Sequence, residues 1–259
     1  MFKKTLLSLS CFFTVLSASA YADWQKAEFK DGDFSLPYQI FTPESQADDK
    51  SLPLVIHLHG SGEAGTDNQA QMYAGTNYGP QYFASDENQA IQAAFVIAPQ
   101  TPKPMRWAST TLDPYVFKQT PSTPSMTATL KLIDKLVAEN KKIDAKRIYI
   151  TGLSRGGQGV WNAMMQRPDF FAAALAIAGS ADPSEAKSIA QIPTWVFAGD
   201  ADEVTKVDYS REMVDAMIRA GGSTANIRYT EIEGGNHDSS WQTAYANSDV
   251  YRWLMRHSK

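Results

Sequence analysis

The chain has 259 residues, of which 43% are hydrophobic, and its 28 acidic residues outnumber its 24 basic ones, for a formal net charge of −4. An acidic balance without clustered cations disfavours nucleic acid or an anionic membrane surface as a partner. This length and composition fit one large α/β domain with a well-buried core.

The first 22 residues are typical of a cleavable export signal. Two lysines precede a short apolar run, and small residues follow it, with Ala20-Tyr21-Ala22 as the expected cleavage site. A transmembrane anchor is the competing interpretation, but the run at 6–16 is too short and too rich in Ser and Thr to span a bilayer. We therefore expect a signal peptide at 1–22 and an exported domain at 23–259, periplasmic or secreted, with no stable membrane insertion. Cys11, the only cysteine, would leave with the signal.

Six short apolar runs, rich in β-branched and aromatic residues, predict strands. Several lack polar alternation, as expected where a strand is covered on both faces. Between them, 126–140 and 207–220 carry apolar residues on one helical face. This alternation predicts the α/β class, with a mainly parallel central sheet and helices on both faces. The predicted strands are 52–60, 93–100, 147–154, 172–180, 193–200 and 225–234.

The stretch HLHGSGEAGT at 57–66 follows the first predicted strand and allows three interpretations. A metal site would need more ligands than His57 and His59, and the sequence offers no suitable further histidines. A phosphate-binding P-loop would need a lysine where Thr66 stands. The remaining interpretation is an oxyanion hole, in which backbone N–H groups bind the charge on a substrate oxygen, with Ser61 as the donor from this loop.

The segment 101–125, TPKPMRWASTTLDPYVFKQTPSTPS, follows the second predicted strand end and contains five prolines. It could form a wall or lid over a site, with Trp107 and Tyr115 as candidate substrate-pocket residues. Equally, it could be a surface loop whose aromatic residues anchor it.

The motif Gly152-Leu153-Ser154-Arg155-Gly156 fits the G-x-S-x-G pattern between a predicted strand and a predicted helix. Such a turn is so tight that small residues are required two positions before and after the serine. The serine hydroxyl would stand at a helix N-terminus, where the helix dipole favours negative charge. Ser154 is therefore the candidate nucleophile, and the backbone N–H of Arg155 is the second candidate oxyanion donor.

A serine needs a base, and the base needs an orienting acid. Asp200, Asp202 and Glu203 follow the fifth predicted strand, and spacing favours Asp202. Of the four histidines, His237 lies after the last predicted strand. The chain order of serine, acid and histidine is that of the α/β-hydrolases.

The segments HLHGSGEAGTDN, YITGLSRGGQGVW, WVFAGDADEV and GGNHDSSW together resemble the α/β-hydrolase superfamily. More narrowly, they resemble secreted bacterial esterases of the phospholipase/carboxylesterase and dienelactone-hydrolase-like group, which includes relatives of poly(3-hydroxybutyrate) depolymerases and feruloyl esterases. One departure is the second serine of HDSSW, which leaves open the placement of Trp241, a third candidate pocket residue.

The resemblance implies an α/β-hydrolase catalytic domain with Ser154 as nucleophile, Asp202 as acid and His237 as base. It further implies hydrolysis of a small-molecule or polymer-linked carboxylic ester through an acyl-enzyme, without a metal or organic cofactor. Two alternatives stay open. One is a serine peptidase of the prolyl-oligopeptidase type, which shares the fold and the triad order. The other is a binding protein that keeps the hydrolase fold without turnover.

Overall fold

The computed structural model of the chain describes residues 23–44, 51–73, 78–108 and 115–259. The predicted signal peptide at 1–22 and the middle of the proline-rich segment, 109–114, lie outside these described residues.

The described residues form one eight-stranded sheet in the order β1-β2-β4-β3-β5-β6-β7-β8. Neighbouring strands from β4 to β8 pair in parallel, whereas β1 pairs with β2, and β2 with β4, in antiparallel register. The strands are β1 Asp23–Asp31, β2 Phe34–Thr42, β3 Leu52–Leu58, β4 Phe95–Pro99, β5 Ile143–Leu153, β6 Ala173–Ile177, β7 Thr194–Gly199 and β8 Ile227–Ile232.

All six predicted strands are present as β3 to β8, and the sheet is mainly parallel, as predicted. The β1–β2 hairpin was not among the predictions. Its first strand, DWQKAEFKD, is polar and largely exposed because it lies at the sheet edge. It therefore lacks the apolar run that marked the buried strands.

The helices are α1 Ala70–Tyr73, α2 Gly79–Ala84, α3 Asp86–Ile91, α4 Pro124–Glu139, α5 Arg155–Gln166, α6 Ala186–Ile189, α7 Val207–Arg219, α8 His237–Ala246 and α9 Ser248–Met255. The two predicted helices correspond to α4 and α7, with boundaries shifted by no more than two residues.

Helices cover both faces of the sheet, so two separate cores form. Alternating residues of one strand enter opposite cores, as Leu54 and Ile56 do on one side and Val55 on the other. The first core packs β-strand residues against α4, α5 and α7, and the second packs them against α2, α8 and α9. This arrangement leaves the carboxyl ends of the parallel strands open, which is where α/β sheets place their sites.

Candidate active site

Ser154 lies in a strained turn between β5 and α5. Its φ of 54° and ψ of −117° are unusual for a residue other than glycine. The flanking glycines make the turn possible: a Cβ on Gly152 would lie 2.6 Å from the backbone of Gly156, and one on Gly156 would lie 1.9 Å from the carbonyl oxygen of Leu58. The G-x-S-x-G spacing is thus imposed by close packing of α5 against β3 and β5.

Three predicted site residues form one hydrogen-bonded chain. The Ser154 Oγ lies 2.9 Å from His237 Nε2, and His237 Nδ1 lies 2.6 Å from Asp202 Oδ2. Nδ1 keeps its proton and donates a hydrogen bond to the carboxylate, which leaves Nε2 as the acceptor for the serine hydroxyl. The three residues come from the ends of β5, β7 and β8, so the topology brings together groups far apart in sequence.

Asp202, rather than Asp200, is the carboxylate that contacts the imidazole. Its other oxygen accepts backbone hydrogen bonds from Val204 and Thr205, each of 2.8 Å. Burial raises the pKa of Asp202, but the hydrogen bond to His237 and the two amides outweigh burial and hold that pKa below its usual value. Asp200 instead accepts a hydrogen bond from the Gly234 amide and stabilises a turn.

His237 is the first residue of α8, and this helix fixes its direction. Asn236 caps the helix by accepting a hydrogen bond from the Ser239 amide, and the Ser239 hydroxyl completes the capping box. One helical turn on, Trp241 places its ring edge-on to the imidazole, with centroids 5.0 Å apart. The Ser240 hydroxyl accepts a hydrogen bond from Gly199 and ties α8 to β7. The second serine of HDSSW is therefore a structural link.

His59, which is fully buried, fixes the loop after β3 through two hydrogen bonds. Its Nε2 accepts a hydrogen bond from the Thr101 amide, so its Nδ1 carries the proton and donates to the Gly60 carbonyl at 2.6 Å. Burial lowers the pKa of His59 to about 4, which keeps the ring neutral. The C=O and N–H of a trans peptide point in opposite directions. With the Gly60 carbonyl turned inward, the Ser61 N–H faces the opposite side, where Ser61 lines a pocket.

The second predicted oxyanion donor, the Arg155 N–H, belongs to the first residue of α5. The first amides of a helix have no partner within the helix and point along its axis. The Arg155 N–H therefore stands at the N-terminus of α5, directly after Ser154.

A pocket of about 340 Å³ adjoins the serine, and one candidate pocket residue, Trp241, lines it. Its described lining residues are Gly60, Ser61, Gly62, Glu63, Leu153, Ser154, Val204, His237, Asp238 and Trp241. Six of these were not predicted as site residues: Gly60, Gly62, Glu63, Leu153, Val204 and Asp238. Each stands within four residues of a predicted site residue, so adjacency in sequence was the available signal.

The expectation that Trp107 and Tyr115 contact substrate is wrong for this structure. Trp107 has no exposed surface, and its indole N–H donates to the His59 carbonyl at 2.9 Å. Tyr115 is 6% exposed and packed into the domain. Both aromatic rings turn inward because apolar burial stabilises the segment that carries them, and the Trp107 hydrogen bond to His59 links this segment to the loop after β3.

The described ends of the proline-rich segment are fastened to the domain. The Thr101 and Ser125 hydroxyls are 2.6 Å apart, and the Phe117 amide donates to Asp182 at 2.8 Å. These contacts favour the interpretation in which the described part of the segment is anchored.

His57 does not face the pocket. It is 1% exposed, lies 3.1 Å from the Tyr245 hydroxyl through Nε2, and burial lowers its pKa to about 3. Among the described residues, no group of three metal-ligating side chains could hold a metal ion. Within these same described residues, no helix is long and apolar enough to cross a bilayer.

Comparison with solved structures decides the fold. A thermostable esterase is 38% identical to the chain and superposes with a TM-score of 0.84, covering 92% of this chain and 64% of that one. The chain has the α/β-hydrolase fold. A ferulic acid esterase shares this hydrolase fold at 18% identity and a TM-score of 0.64, over 91% of this chain and 97% of its own.

Other matches are to peptidases and to a further esterase. Residues 123–195, which include the Ser154 turn, match the prolyl oligopeptidase family. The acylaminoacyl peptidase of Pyrococcus horikoshii is 17% identical, with a TM-score of 0.63, over 90% of this chain and 39% of its own. Esterase NocK of Nocardia uniformis subsp. tsuyamanensis is 23% identical over 210 residues, 72% of this chain and 57% of NocK. The chain thus spans less than two thirds of the length of NocK and of the thermostable esterase.

Proposed function

We propose that the protein is a serine carboxylesterase in which Ser154 is the nucleophile, His237 the base and Asp202 the orienting acid. The observation that carries this proposal is the unbroken chain of hydrogen bonds from Asp202 to the Ser154 hydroxyl beside an open pocket. The esterase relative with 38% identity over 92% of the chain favours ester bonds.

The proposed reaction has two steps. His237 takes the Ser154 proton as the hydroxyl attacks the ester carbonyl, and the imidazolium that forms is stabilised by Asp202. The backbone N–H groups of Ser61 and Arg155 bind the oxyanion. The alcohol leaves with the proton from His237, and water then attacks the acyl-enzyme in the same way. Each oxyanion donor is worth about 3 kcal/mol in related chemistry.

The second candidate is a serine peptidase, favoured by the match of 123–195 to the prolyl oligopeptidase family. The two candidates differ in the bond they cleave, so matched leaving groups separate them. We expect kcat/KM for p-nitrophenyl butyrate to exceed that for butyric acid p-nitroanilide, which has the same acyl group, by several orders of magnitude. Comparable or faster amide cleavage would favour the peptidase.

Ser154→Ala is the control for this comparison. It should lower ester turnover by about 10⁴-fold or more and leave the far-UV circular dichroism unchanged. Ester turnover that survives this substitution would remove Ser154 from the mechanism. A folded wild-type protein without turnover of either substrate would favour the non-catalytic binding role.

Export is part of the proposal and rests on the sequence of 1–22. The mass of the protein recovered from a bacterial periplasm or culture medium should correspond to a chain that begins at Asp23. Recovery with the lysine-containing leader still attached would contradict it.

A further inference from the structure

Two carboxylates line the pocket beside Ser154. Glu63 comes from the loop after β3, and Asp238 comes from the first turn of α8. Among the described lining residues, His237 is the only one that can carry a positive charge, and it is committed to the hydrogen-bonded chain. The described wall of the pocket is therefore acidic.

Glu63 is buried, and among the described residues no charged cation forms an ion pair with it. It is 8% exposed, and its Oε2 has no hydrogen-bond partner among the described residues. The His59 Nδ1 lies 4.0 Å from that oxygen, but its proton is donated to the Gly60 carbonyl and the ring is neutral. Burial raises the pKa of Glu63, the amides of Gly60 and Glu63 itself partly offset this, and Asp238 raises it further.

An ionised Glu63 in this setting lowers the stability of the folded protein. A buried carboxylate with one oxygen left unpaired lowers the stability of the fold, and a second carboxylate nearby adds repulsion. Carboxylates with perturbed pKa values concentrate at functional sites. A cation in the pocket would be attracted by both negative charges. Trp241 lines the same pocket, and indole rings attract ammonium groups.

We propose that this pocket selects esters that carry an ammonium group near the ester bond, in either the alcohol or the acyl part. Glu63 and Asp238 determine this specificity through their charge. The proposal rests on the proposed esterase function, because it describes the substrate class of the same site.

The test compares esters of matched shape that differ in charge, with the alkaline hydrolysis rate of each ester as the measure of its intrinsic reactivity. Butyrylcholine and 3,3-dimethylbutyl butyrate have nearly the same shape, because a quaternary nitrogen in one replaces a carbon in the other. Alanine ethyl ester and isobutyric acid ethyl ester test the acyl side in the same way. At about pH 7, carboxylates are ionised in general and an α-amino group with a pKa of about 7.7–8.0 is mostly protonated. After kcat/KM is divided by the rate of alkaline hydrolysis of the same ester, we expect it to favour the cationic member of at least one pair by about five-fold or more.

Charge-removing variants that preserve shape identify the source of the preference. Glu63→Gln and Asp238→Asn should each lower the ratio of cationic to neutral kcat/KM by several-fold. The ratio cancels any loss of folded enzyme, because both esters report on the same preparation. Glu212→Gln on the exposed side of α7 removes the same charge elsewhere and should leave the ratio unchanged. Raising the salt concentration should lower the wild-type ratio, because salt screens charges that solvent reaches.

The outcomes separate this proposal from the esterase function. Hydrolysis of the neutral esters with no cationic preference in either pair would overturn the specificity and leave the esterase standing. A preference that persists in both pocket variants would also overturn it, because its source would lie elsewhere. If the Glu63→Gln variant does not fold, the Asp238→Asn variant and the salt dependence still test the proposal. No hydrolysis of any ester would contradict the function on which the specificity rests.

Discussion

The backbone of Ser154 carries strain that the surrounding structure has to hold. A non-glycine residue at φ 54° costs of order 1 kcal/mol or more. The Ser154 N–H donates to the Ile177 carbonyl at 2.9 Å, and the Ser154 carbonyl accepts from the Gln158 amide at 3.0 Å. These two bonds fix the peptide planes on both sides of the residue, so the hydroxyl is held toward His237 before any substrate binds.

Two aspartates follow β7, and matched substitutions test which of them orients the His237 imidazole. We expect Asp202→Asn to lower kcat by about 10⁴-fold, because an amide cannot hold the imidazole in the required tautomer. Asp200→Asn should change kcat by only a few-fold, because Asp200 contacts the Gly234 amide and not the histidine. Steady-state kinetics on the two purified variants check this ranking. The reverse ranking would move the acid to Asp200.

At the scale of elements, the site depends on how closely α5 approaches β3. Gly156 faces the end of β3 with its Cα, and a side chain there would meet the Leu58 carbonyl. We expect Gly156→Ala to lower the free energy of unfolding by about 3 kcal/mol or more, because backbone cannot move aside as a flexible side chain can. Urea unfolding measures this change.

Gly62 provides the control for that substitution. It lies in the loop after β3, and a Cβ there would meet no atom within 4 Å. Gly62→Ala should therefore leave the free energy of unfolding within about 0.5 kcal/mol of wild type. Equal destabilisation by both alanines would refute the packing explanation.

The sequence was most informative where a residue's role follows from its place at a strand end. Ser154, Asp202 and His237 were predicted because apolar strands mark the sheet edge, and chain order then selects one base. The direction of the aromatic rings at Trp107 and Tyr115 could not be predicted in this way. A ring in a proline-rich loop can be buried against either the domain or a ligand, and tertiary packing decides between them.

Glu63 shows a second limit of prediction from sequence. Its position in HLHGSGEAGT was known, but its burial depends on Gly60 and His59 turning the loop back on itself. An acidic residue in a glycine-rich loop is ordinarily exposed to solvent. Only the folded loop shows that this carboxylate lies in the pocket wall.

At the scale of the whole molecule, two buried histidines link stability to pH. Burial lowers the pKa of His57 to about 3 and that of His59 to about 4, whereas histidine in an unfolded chain takes up a proton near pH 6.5. Between about pH 6.5 and pH 4 the unfolded chain therefore binds more protons than the folded one. The free energy of unfolding should fall as the pH falls through this window, by up to about 1.4 kcal/mol per pH unit for each histidine.

Urea unfolding at about pH 7, 6 and 5 measures how steeply the free energy of unfolding falls with pH. The His57→Gln variant should show a smaller pH dependence, whatever its stability at pH 7. The ionisation of Asp202 affects the free energy of unfolding only below this pH range. Because its pKa is held below the usual value, its contribution is present above about pH 4 and is lost only below that. A slope that is unchanged in His57→Gln would mean that His57 is protonated in the folded protein.

The central claim is that the fold activates Ser154, and a fluorophosphonate tests it independently of substrate preference. The purified mature protein is incubated with the reagent, and its intact and peptide masses are measured. We predict one adduct, on the peptide that contains Ser154, absent from Ser154→Ala and formed far more slowly by His237→Ala. An adduct on another residue, or no adduct on folded protein, would contradict the claim.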